Sequence, residues 1–273
     1  MIPAEPTITL PPSHQRALQR AIMNLENQDF AARLANYAGR PVSRALRLMP
    51  KAATDGINRV VEKAILNSLN IAIRSLEPNS KRPPAQRAAS VLAGLSGGVS
   101  GFFGIAALPI ELPLTTTLML RAIADIARHN GEDLSTLEAR LACVEVFALG
   151  ARETGQRTDF GYYASRALIG RLAAEATSIF MERGIAKLSA PAVGSLVAEI
   201  VTRFGVVVTE RSAASAVPVL GALGGATVNI VFMNHFQRVA RGHFAIRRLE
   251  RHYGPNVVRK LYSAHATRGR AAS

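Results

Sequence analysis

At 273 residues and 48% hydrophobic, the chain can bury most of its unfolded surface without a metal or disulfide. Its single cysteine, Cys143, excludes an internal disulfide and suits a reducing compartment. The formal charge of +14 calls for an anionic partner or a heavily solvated surface, and the apolar fraction is low for a polytopic membrane protein.

The charge is unevenly placed. Lys/Arg and Asp/Glu number 13 and 6 over residues 1–87, 11 and 12 over 88–237, and 9 and 1 over 238–273. Two basic flanks therefore enclose an almost neutral middle. Flanks of this kind suit lipid headgroups or nucleic acid, although 28 of the 33 basic residues are Arg, as an arginine-rich codon bias alone would produce. With five Tyr, no Trp and no recognisable DNA- or RNA-binding motif, nucleic acid is the weaker partner. The first residues, Met1-Ile-Pro-Ala-Glu-Pro-Thr-Ile, lack the basic and apolar regions of a secretory signal, and no lipidation signature is present. The expected location is the cytoplasm or the inner face of the cell membrane.

In chain order, residues 1–54 read as a basic extension of one or two amphipathic helices broken at Pro41 and Pro50. Ile57, Val60, Val61, Ala64, Ile65, Leu69, Ala72, Ile73 and Leu76 then follow the spacing of one buried helical face, with Asp55 placed to cap it. Glu77-Pro-Asn-Ser-Lys-Arg-Pro-Pro is a linker. A helix is predicted over 113–129, stopped by Asn130-Gly131. Ser135-Thr-Leu-Glu138 reads as a capping box for the next, ending near Gly150. Thr154 to Gly161 is a polar loop, followed by a helix over 162–183. Residues 191–211 are ambiguous, because the β-branched Phe204-Gly-Val-Val-Val-Thr209 sits among helical neighbours. A last long helix over 226–253 is stopped by Gly254-Pro255, and 256–273 reads as a basic, disordered tail. No strand alternation is sustained, so the class is all-α: a compact multi-helix domain over 55–255.

Two long runs carry no charge: Ala88–Ile110, and Ser212–Gln237 apart from His235. Both are glycine-rich. Gly94, Gly97, Gly98 and Gly101 in the first, and Gly221, Gly224 and Gly225 in the second, include pairs four apart, which on a helix leave a groove for another backbone. These are the predicted helix-packing residues of two apolar helical hairpins. A phosphate loop fails on context, since no Gly-Lys-Ser/Thr follows. Each run is long enough to cross a bilayer, but Pro109 and Pro113, and then Asn229, Asn234 and His235, argue for burial in the fold or shallow insertion.

Gly97-Gly-Val-Ser-Gly-Phe-Phe-Gly104, Glu111-Leu-Pro113, Arg121-Ala-Ile-Ala-Asp-Ile-Ala127, Gly131-Glu-Asp133 and Cys143-Val-Glu-Val-Phe-Ala-Leu-Gly150 form a recognisable set. Pro218-Val-Leu-Gly-Ala-Leu-Gly-Gly-Ala226 and Ala240-Arg-Gly-His-Phe-Ala-Ile-Arg-Arg-Leu-Glu-Arg-His-Tyr-Gly254 complete it. Over about 55–255 the chain resembles the EcsC protein family. That family takes its name from a gene beside a bacterial ABC-transporter operon, so the resemblance implies an association with membrane transport rather than a reaction.

Catalytic signals are weak. Glu111 is the lone charge between Arg87 and Arg121 and reads as a helix cap; Arg121 and Asp125 read as an i, i+4 pair. Glu111, Asp125 and His243 are the candidates for a hydrolase of a lipid or membrane-derived substrate, which is the alternative reading. A carboxylate–histidine metal site from Glu111, Asp125, Glu145, His235 and His243 lacks any supporting ligand pair, and no metal or cofactor is expected. Cys143 reads as a small buried residue. The stronger feature is the basic face of the last long helix, from Arg238, Arg241, Arg248 and His252, thickened by Arg247 and Arg251 and flanked by Phe232, Phe236, Val239 and Leu249. The expected function is non-catalytic association with an anionic membrane surface, with a membrane transporter or lipid as partner.

Overall fold

The computed structural model describes residues 10–26, 30, 49–75, 108–151, 161–183, 191–215 and 221–271. Among them are eight helices and no strand: α1 (Pro12–Glu26), α2 (Lys51–Ser75), α3 (Leu108–His129), α4 (Leu137–Leu149), α5 (Gly161–Arg183), α6 (Pro191–Ser215), α7 (Gly221–Tyr253) and α8 (Pro255–Ala271). The predicted class is all-α, and so is the fold.

The shortest helix is the centre. Ten of the thirteen residues of α4 are buried, including the unbroken stretch Leu141–Leu149. A helix without a polar face can only be satisfied by neighbours on every side. It has them: α2, α3, α5, α6 and α7 all pack against α4. Around its C-terminal half Phe147, Phe204, Phe232 and Phe236 meet edge-on or tilted, with centroids 5.0–5.9 Å apart.

Several helix ends differ from expectation. α2 starts four residues before Asp55, with the Pro50 carbonyl accepting from the Ala53 and Thr54 amides, so Asp55 lies inside it rather than at its cap. Ile57, Val61, Ala64, Ile65, Leu69, Ala72 and Ile73 are buried, as their spacing predicts. α3 starts at Leu108 and carries Pro113 within it. The proline sits close enough to the start that the lost amide leaves only the carbonyl of Pro109 short of a donor. α4 is capped by Thr136, whose hydroxyl accepts from the Ala139 amide at 3.3 Å, not by a Ser135–Glu138 box. Gly131 and Gly254 have φ of +79° and +86°, the left-handed conformation that ends α3 and α7 where the sequence places the stops.

α6 runs unbroken through the ambiguous segment. Phe204, Val207 and Val208 are buried against the core, and that tertiary burial outweighs the β preference of the valines. α6 is also long and apolar enough to cross a membrane, but half of that stretch is buried in the protein. The tail expected to be disordered is instead the helix α8, which docks Val258 and Tyr262. The N-terminal segment is not a separate extension either: α1 buries Leu18, Ala21 and Leu25 and packs on α7, α8 and α5. Gly94, Gly97, Gly98 and Gly101 lie outside the described residues, as does the polar loop before Gly161. Gly221, Gly224 and Gly225 fall in the first turns of α7.

Candidate anion-binding cleft

At 100° per residue, the arginines of α7 divide into two groups. Arg247 points back into the molecule, and Arg251, 43% exposed, lies beside it at the surface. Arg247 grips Glu132 with two parallel bonds, Nε to Oε1 at 2.9 Å and Nη2 to Oε2 at 3.0 Å, and also reaches Glu138. Arg251 donates to Glu132 Oε1 and, at 2.6 Å, to the Asn130 carbonyl. Burial works against the Glu132 charge, yet the bonds and charges of Arg247 and then Arg251 hold its pKa below the ordinary glutamate value. Together they clamp the α3–α4 turn onto α7. Of the expected anion-binding set, Arg247 is thereby committed to the fold, whereas Arg251 shares the single charge of Glu132 and stays 43% exposed. The apolar flanks are committed to the fold as well: Phe232, Phe236, Val239 and Leu249 are core residues and cannot enter lipid.

Arg238, Arg241, Arg248 and His252 form the second group, on a single outward stripe. Arg241, Ala245 and Arg248 make one wall of a cleft of about 620 Å³. The opposite wall is Ala17, Arg20, Ala21 and Asn24 of α1, and Ile126, His129 and Asn130 close the third side. Among the described residues lining it none is acidic. Arg241 reaches solvent; desolvation of its part in the wall, and then the charge of Arg238, lower its pKa from the usual guanidinium value. The cleft is a place where positive charge is concentrated against a partly apolar floor.

Gly242 brings those walls together. A Cβ there would lie 2.6 Å from Leu25 Cγ and 3.1 Å from the Ala21 carbonyl oxygen, so α1 crosses α7 where α7 has no side chain. That crossing sets Arg20 beside Arg241 and Arg248, more than two hundred residues away in sequence. Arg20 and His129 were not picked out from the sequence, and no local spacing could have done so. The legible signal was a glycine inside an arginine stripe, which marks a close helix crossing.

The hydrolase candidates do not converge. Glu111 and Asp125 are fourteen residues apart on α3, or about 21 Å along the axis. Glu111 is ion-paired with Arg211 of α6, their side chains 9% and 4% exposed, and the Arg211 guanidinium lies 5.0 Å from the Phe232 ring centroid. It does sit in the first turn of α3, but as half of a buried pair rather than as a solvated cap. Asp125 is bound by Arg128 at 2.8 Å, three residues on. His243 is buried on α7, its Nδ1 3.0 Å from the Tyr162 hydroxyl, and burial drives its pKa well below the ordinary imidazole value. His235, pushed down to about 4 by burial, is a neutral core histidine whose Nε2–H donates to the Gly150 carbonyl at 2.7 Å. Glu145 is buried in α4 and raised to about 7 by desolvation. Among the described residues no three His, Cys, Asp or Glu side chains gather as a metal site. Cys143 is buried, its thiol donating to the Ala139 carbonyl and its pKa raised by the same desolvation.

The described residues form an all-α fold that carries a basic cleft between α1, α3 and α7. The sequence matches the model of the EcsC protein family over residues 11–249, and the chain belongs to that family. The match begins before α1, in keeping with α1 being part of the domain. No curated protein and no solved structure matches the chain.

Proposed function

We propose that this protein is a non-catalytic component that docks reversibly on the anionic cytoplasmic face of the membrane through Arg238, Arg241, Arg248 and His252, beside a membrane transporter or lipid partner. The observation that supports this is the division of α7. Arg247 and Arg251 are ion-paired with Glu132, while among the described residues no carboxylate pairs with Arg238 or Arg248. Each basic residue near an anionic surface contributes about 1 kcal/mol, so a stripe of this size supports weak, reversible attachment. With the neighbouring aromatic residues committed to the core, the attraction is electrostatic and insertion plays little part.

Co-sedimentation of the full chain with vesicles tests it. Binding to phosphatidylglycerol-containing vesicles is expected, with none to phosphatidylcholine, and it should fade as salt shortens the Debye length to about 8 Å and below. The Arg238→Gln/Arg241→Gln/Arg248→Gln protein should lose it. Arg247→Gln should lower stability by about 1–3 kcal/mol, because Glu132 loses its two-bonded partner, and leave vesicle binding intact. Equal binding to neutral vesicles, or retention by the triple variant, would overturn the proposal.

A further inference from the structure

We infer that the cleft between α1, α3 and α7 binds a phosphate monoester. This inference rests on the anionic-surface reading but asks more of it: a discrete site rather than a charged face. Arg20, Arg241 and Arg248 from two helices, with His129 from a third, line one cavity of about 620 Å³. That size falls within the roughly 300–1,000 Å³ of small-molecule sites. Arg20 and Arg248 face one cavity from two helices, and no described lining residue carries a carboxylate. The arrangement therefore favours an occupant that brings negative charge.

The chemistry of the lining narrows the class. Guanidinium groups present flat forks of donors that match the oxygens of phosphate in pairs. A monoester, with close to two charges at neutral pH, offsets the charges of Arg20 and Arg248 better than a carboxylate or a phosphodiester, with one charge each, does. The half-buried Ala17 and Ala245 supply apolar surface for the organic stem, which free inorganic phosphate would leave uncovered. The same group is found on a soluble metabolite and on a lipid headgroup.

Two arms of one experiment separate those sources. Glycerol 3-phosphate is titrated calorimetrically into the full chain at low salt, with glycerol as control. In parallel, vesicles containing phosphatidic acid are compared with phosphatidylglycerol vesicles of equal surface charge. Saturable one-site binding of glycerol 3-phosphate, weakened about tenfold or more by Arg20→Gln and by Arg248→Gln, is the expected result for a soluble ester. For a headgroup, the expected result is a preference for phosphatidic acid that Arg20→Gln abolishes. Arg238→Gln, on the stripe but outside the cleft lining, should change ester affinity less than about threefold while still reducing vesicle binding. Melting curves of Arg20→Gln should match the parent, since the side chain is on the surface. The inference fails if neither arm shows a monoester preference, or if Arg20→Gln leaves it unchanged. Phosphatidylglycerol binding that survives such a failure would keep the docking surface and remove the site.

Discussion

Gly242 interrupts the arginine stripe of α7 at the point where α1 passes over it. Alanine would gain up to about 1 kcal/mol of helix propensity there, but its methyl would overlap Leu25 and press on the Ala21 backbone. Overpacking of this kind costs about 1–3 kcal/mol and forces α1 away. Gly242→Ala is therefore expected to lose about 1–2 kcal/mol in urea unfolding and to loosen the cleft. A variant as stable as the parent would show that α1 yields freely. Glu145 makes a different kind of residue-level prediction. Its folded pKa of about 7 lies above the roughly 4.3 of an unfolded glutamate, raised by burial and eased only in part by Arg247 and Arg166, with Glu138 and Glu132 adding to the rise. Between those values the folded protein holds a proton that the unfolded chain has released, so this group's contribution to stability falls as pH rises from about 4.5 to 7. His235 and His243 act oppositely: kept neutral by burial, they contribute stability that is present above about 6.5 and lost as pH falls. Glu145→Gln removes only the first effect. Relative to the parent it should gain stability steadily from pH 5 to 8, on the order of 2–3 kcal/mol at the top. A difference independent of pH would refute the assignment.

At the scale of elements, the Glu111–Arg211 pair ties the first turn of α3 to the end of α6, and Arg211 also lies over Phe232 of α7. Three helices meet there. Each of the two long uncharged runs of the chain enters this corner, one ending in α3 and the other starting in α6. A charge pair that is nearly solvent-free costs several kcal/mol to break from one side, because the other charge stays buried. Glu111→Gln should therefore lower stability by about 3 kcal/mol rather than the 1 kcal/mol or less of a lost cap. The Glu111→Gln/Arg211→Met double variant should recover part of that loss, since neither charge is then left unmatched. If the single variant unfolds at the parent's denaturant midpoint, the pair is not what joins these helices.

For the whole molecule, the +8 of residues 238–273 overstates the charge available to a partner. Arg247 and Arg251 share the single negative charge of Glu132, and Arg259 lies 5.9 Å from the Tyr163 ring centroid. What remains outward on α7 is narrower than the sequence suggests, and it is joined by Arg20 from the other end of the chain. Docking and ester binding should respond to the outward residues, and stability to the inward ones; the Arg247→Gln and triple-Gln proteins separate the two.

The helical class, the buried face of α2, the stops at Gly131 and Gly254 and the burial of Cys143 were legible in the sequence, because each depends on periodicity or backbone chemistry within a few residues. The family was legible too, from short motifs in order along the chain. The centrality of α4 was not legible, although its lack of a polar face is a local fact, because only neighbours decide how many sides are covered. The same holds for α8 and α6, where docking against the core overrode a disorder-like composition in one case and a β preference in the other. For the site, the stripe of Arg238, Arg241, Arg248 and His252 follows from helical spacing alone. Which arginines are available does not. Glu132 engages two of them and Gly242 admits α1 with Arg20, and both are contacts between residues more than a hundred positions apart, which no pattern local to the chain encodes.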